Sequence, residues 1–229
     1  MTNQTVDADE LQIVSPLKTP RAAAVAGIAF SVLTIASLVL IKLSTPANPG
    51  QAGAWLNDSA RRTTVDVALN LVPFAGIAFL WFLGVIRDRV GRHEDRFFAT
   101  IFIGSGLLFV GMFFVAAGIE GGIIAGESAK SFGSSASGTL VLGRDVTSAL
   151  VNIYAVRMAA VFTITTVTIA RRTQIVSRWL TYAGIVVALV LLIGTGISAW
   201  VELLFPAWIL ALSIDVLIAG RGEPITPPG

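Results

Sequence analysis

The sequence predicts an all-α fold: a polytopic membrane bundle of six transmembrane helices with short loops and one outer interfacial helix. Two observations carry this. Of 229 residues, 55% are hydrophobic and only 13% charged, with a mean hydropathy of +0.80, whereas soluble domains carry about 25% charged residues. The few charges also leave apolar runs close to the ~20 residues that cross a ~30 Å hydrocarbon core.

Residues 1–21 form a polar tail, acidic at Asp7, Asp9 and Glu10 and punctuated by Pro16 and Pro20. Residues 22–41 carry no charge between Arg21 and Lys42 and give the first span. Lys18, Arg21 and the Ala52-Gly53-Ala54 triplet would also suit a secretory signal. The apolar run exceeds the ~7–15 residues of a signal core, and more spans follow, so we read it as a retained helix. Pro46, Pro49 and Gly50 then break the chain. Trp55 and Leu56, close to Arg61 and Arg62, predict a short interfacial helix over 53–63 with both apolar residues toward lipid.

The second span covers 67–86 and contains Asn70 and Pro73. Residues 87–96 are the most charged stretch and hold the one histidine, His93. We read it as a solvated loop that fixes topology rather than as a catalytic segment. The third span, 97–119, runs into Gly118, Gly122 and Gly126, with Glu120 among them. This four-residue spacing lets another backbone approach closely. Gly27 with Ser31, and Gly194 with Gly196, are weaker versions. Serine- and glycine-rich residues 127–144 predict an exposed loop. The fourth span is 146–170, the fifth 179–200 and the sixth about 205–219, with a tight turn around Glu202 and Pro206. The six-helix domain thus covers 22–220, and 221–229 is a second tail. Asp66 and Asp145 read as acids at helix N-termini.

Six spans put both tails on one side. Ten basic residues fall on the tail side, from Lys18 to Arg221, against five on the other: Lys42, Arg61, Arg62, Lys130 and Arg144. The positive-inside rule makes the tails cytoplasmic, and the expected location is the cell's inner (plasma) membrane.

Certain chemistries find no support. There is no cysteine, so no disulfide or thiolate metal site can form. No metal, nucleotide or catalytic signature is present, and we assign no catalytic residue, metal or cofactor. The basic excess is too small and too dispersed for nucleic acid. The bilayer is the expected partner, with a second copy of the chain or another membrane protein left open.

One charge stands at the centre of a span. Arg157 lies thirteen residues beyond Arg144 and fourteen before Arg171. That is roughly 20 Å from each at ~1.5 Å per residue, near mid-membrane. A guanidinium there must find a partner or water. Tyr154 lies one turn away, and Asp215, Glu202 and Glu120 are the acids available. Two roles are open: a buried ion pair that fixes helix register, or an anion, headgroup or coupling site. The first goes with a non-enzymatic structural, assembly or accessory protein. The second goes with a small-solute or lipid-handling transporter.

Pro20-Arg21 before the Ala26-Gly27 helix, the outer Pro49-Gly50 segment and Arg178-Trp179-Leu180 at the fifth helix complete the pattern. In these features the chain resembles bacterial six-helix integral membrane proteins. The resemblance implies the fold and a membrane location, and it carries no activity.

Overall fold

Twenty uncharged positions after Arg21 fold as one helix, α1, Thr19–Ser44. The computed structural model describes residues 19–45, 54–90, 96–129, 136–173, 177–194, 198 and 200–219. The outer Pro/Gly segment, His93 and most of both tails lie outside them. A 3-10 turn, Ala54–Asn57, leads into α2, Ser59–Val90, followed by α3, Arg96–Ser128. Next come α4, Ala136–Ala149, a π-helical turn, Leu150–Ala155, and α5, Val156–Thr173, without a break. Helix α6 is Arg178–Ile193. A second 3-10 turn, Val201–Leu203, opens into α7, Leu204–Ala219.

Among the described residues, five stretches are long and apolar enough to cross a membrane: Arg21–Ser44, Ser59–Arg87, Phe97–Ser128, Gly138–Arg171 and Val201–Ile218. Helix α6 has 16 residues, or ~24 Å. It still runs the length of the bundle. Ser177 N–H, at its start, donates to Asp215 Oδ2 near the end of α7 at 3.2 Å. Its far end connects to the turn that begins α7. The other helices alternate in the same way. Ile41 near the end of α1, Leu69 early in α2, Ile119 and Ile123 late in α3 and Leu140 early in α4 pack in one cluster. The start of α1 and the end of α7 share the opposite end of the bundle, where Gly27 lies against Ser213.

Several boundaries differ from those the sequence predicts. The predicted loop 127–144 is helical at its start through Ser128 and again from Ala136. Its serines and glycines suggest a loop, but Leu140, Gly143 and Thr147 give α4 a face that packs on α3. The 53–63 helix does not form as a separate interfacial element. Asp58 caps α2 instead, its Oδ1 accepting from Ala60 N–H at 2.9 Å and Arg61 N–H at 3.3 Å. Helix α2 thus starts eight residues before the predicted span, at Ser59 rather than 67. Leu56 does not face lipid; it is buried against Val65 and Ile123. Asp66 and Asp145 sit inside α2 and α4 rather than at N-termini. Pro206 falls in the first turn of α7, where its missing N–H has no intrahelical partner to lose.

The core is aromatic. Phe79 of α2 touches the rings of Phe30, Phe82, Phe109, Phe162 and Phe205 at centroid distances of 4.7–6.2 Å. Four helices besides its own thus meet at one residue. Several polar side chains in the spans are satisfied within their own helix. Thr163, Thr165, Thr166 and Thr168 each donate to the carbonyl four residues earlier in α5. Ser37 Oγ donates across to Ala68 O, tying α1 to α2 at 2.8 Å. Large apolar residues cover the outside, among them Phe74, Trp81, Leu108, Val186 and Ile193. Such a surface is stable in hydrocarbon, and this is a multi-pass membrane protein.

Close helix approach occurs at particular glycines. A Cβ at Gly27 would strike Ser213 and Phe82, and one at Gly184 would meet Val167 at 2.5 Å and Trp208 at 2.9 Å. At Gly118 and Gly122 a Cβ would meet nothing within 4 Å. Gly27→Leu should therefore lower the melting temperature in detergent by several degrees, as overpacking typically costs ~1–3 kcal/mol. Gly118→Leu should leave it unchanged. Equal melting of the two variants in a thermal-stability assay would contradict this packing.

Candidate functional site

Charges that the sequence distributes over four helix ends meet in one place. Lys42 closes the last turn of α1. Glu202 lies in the 3-10 turn before α7, because Pro206 and the apolar residues after it begin the helix there. The two pair at 2.7 Å, with side-chain exposures of 20% and 6%. The Lys42 ammonium also stands 5.6 Å from the Trp200 ring centroid, a cation–π distance. Arg144 of α4 and Glu120 of α3 line the same cavity as Lys42 and Glu202.

The cavity they line has a volume of about 480 Å³. Its floor is the apolar cluster of Leu38, Val72 and Phe113, with Val151 beside it. Thr147, Ser148 and Asn152 line the wall between floor and charges. Its origin lies in the helix packing. Helix α5 packs on α3, α6 and α7, whereas α4 packs chiefly on α3. The change of neighbours falls at the π turn, where Val156 N–H bonds Val151 O five residues back. The space left between α4 and the α1–α7 side is the cavity. Turns of this kind often mark functional sites in helices.

The residues predicted to gather around Arg157 lie in three places. Glu202 and Glu120 line the cavity with Lys42 and Arg144. Asp215 is at the opposite end of the bundle, accepting from Ser177 N–H. Arg157 itself lies one helical turn beyond the cavity wall, and its Nη1 donates to Ile153 O inside the π turn at 2.9 Å. Tyr154 beside it is exposed on the outer surface. Sequence reasoning missed Lys42 and Arg144, which it used only as topology markers. The usable signal was that Lys42, Glu120, Arg144 and Glu202 all fall toward the same side of the predicted spans.

No protein-family model, curated protein or solved structure matches this chain.

Proposed function

We propose that this protein is a non-enzymatic component of the cell's inner membrane, with both termini cytoplasmic, that holds a small amphipathic ligand in its charged cavity. The observation that carries the reading is the cavity itself: Lys42, Glu202, Glu120 and Arg144 beside an apolar floor. Ligand sites of this size combine apolar walls with a few placed polar groups. Lys42 and Glu202 engage each other, an arrangement suited to holding a ligand rather than converting it. Below the floor, Phe30, Phe79, Phe109 and Phe205 fill the centre. That plug favours a closed binding role over a transport path through Arg157.

Native mass spectrometry from mild detergent tests this. The wild type should carry a small-molecule or lipid adduct, and Ala117→Trp, which fills the cavity, should lose it. A wild type without adducts would contradict the reading. The orientation has its own test in reporter fusions. A fusion after residue 130 should report the external side, and one after residue 92 the cytoplasmic side, because the ten-to-five split of basic residues holds the tail side in the cytoplasm. The reverse pattern would overturn it.

A further inference from the structure

Resting on that binding role, we infer that the cavity takes a zwitterion: an ammonium joined by a short linker to a phosphate or carboxylate, either free or as the head of a membrane lipid. The lining is balanced in charge. Lys42 faces Glu202 at 2.7 Å, and Arg144 and Glu120, one charge of each sign, line the same cavity. A ligand of net charge would bring an uncompensated charge into a site that is already neutral and, at Glu202, almost closed to solvent. An uncharged ligand would strip water from four ionic groups and return no interaction. A zwitterion brings one charge of each sign. Its ammonium can share the carboxylates of Glu202 and Glu120, and its anionic group can take the guanidinium of Arg144, which offers several N–H donors in a planar fork.

The neutral part of the wall suits the linker. Thr147 Oγ1 is buried and has no hydrogen-bond partner among the described residues. Ser148 and Asn152 line the cavity on the same side. Below them Leu38, Val72 and Phe113 present only carbon. A lipid would lay the start of its acyl chain there; a free zwitterion would leave that floor uncovered.

The test is thermal stability and ligand affinity of the full chain in detergent with three probes: short-chain phosphatidylethanolamine, phosphatidylglycerol of the same chain length, and free phosphoethanolamine. Phosphatidylethanolamine is expected to bind roughly tenfold or more tighter than phosphatidylglycerol. Binding of free phosphoethanolamine with similar affinity identifies a soluble zwitterion; binding of the lipid alone identifies a headgroup. Glu120→Gln and Arg144→Gln should each weaken the preferred probe roughly tenfold. The swap Glu120→Arg with Arg144→Glu, which restores a neutral lining, should recover part of the loss. Should single variants fail to fold, the wild-type ranking of the probes still decides. Equal binding of the zwitterionic and anionic lipids overturns this inference and leaves the binding role standing. Absence of binding by all three, together with a wild type free of adducts, overturns both.

Discussion

Lys42→Ala or Glu202→Ala is expected to destabilise the protein by about 3–5 kcal/mol, the usual cost of stranding one member of a buried ion pair. The pair is short, at 2.7 Å, and the glutamate side chain is only 6% exposed. The pair also holds two segments together: the last turn of α1 and the 3-10 turn that starts α7. The paired substitution Lys42→Met with Glu202→Leu should recover most of the loss, because it leaves no charge behind. Thermal denaturation in detergent checks this. If the double variant is no more stable than either single one, the segments are held by something else.

Phe79→Ala should cost about 2–3 kcal/mol. In water-soluble proteins a buried phenylalanine truncated to alanine loses ~3–5 kcal/mol, part of it transfer from water and part the cavity left behind. Inside a bilayer the alternative environment is as apolar as the core, so the transfer part shrinks and lost packing dominates. Phe79 contacts rings from α1, α2, α3, α5 and α7, so little of the gap can close by local collapse. Trp81, two residues on and 71% exposed, is the control. Trp81→Ala should leave the melting temperature almost unchanged.

The class of fold was legible because it depends on run lengths and charge spacing, which a sequence displays directly. Residues 22–41 and 67–86 fall inside α1 and α2, and Gly27 does sit at a close helix contact. Boundaries were less legible where local composition conflicts with packing. The stretch before Asp145 reads as a loop by its serines and glycines, yet Gly143 fits closely under Ile123 and the helix begins at Ala136. Leu56 and its neighbours read as interfacial by composition, but the capping carboxylate of Asp58 turns the chain straight into α2. The site was hidden for a different reason. Lys42 and Glu202 are far apart in the chain, and nothing local announces that two helix ends share one level of the bundle. Arg157 stood out because it is isolated in sequence. Depth along one helix, however, says nothing of which neighbours it meets, and the π turn that supplies Ile153 O has no simple sequence signature.

If the cavity between α1, α3 and α4 holds a ligand, water must reach it while the rest of the surface faces hydrocarbon. The chain has no cysteine, so single cysteines can be labelled without background. Ser148 and Leu108 are both exposed on the structure, but only Ser148 lines the cavity. A thiol in hydrocarbon stays protonated and unreactive, whereas one in a wet cavity ionises and labels. In native membranes, Ser148→Cys should react with a small membrane-impermeant maleimide and Leu108→Cys should not. Labelling at Leu108 equal to that at Ser148, or protection of both, would contradict the account.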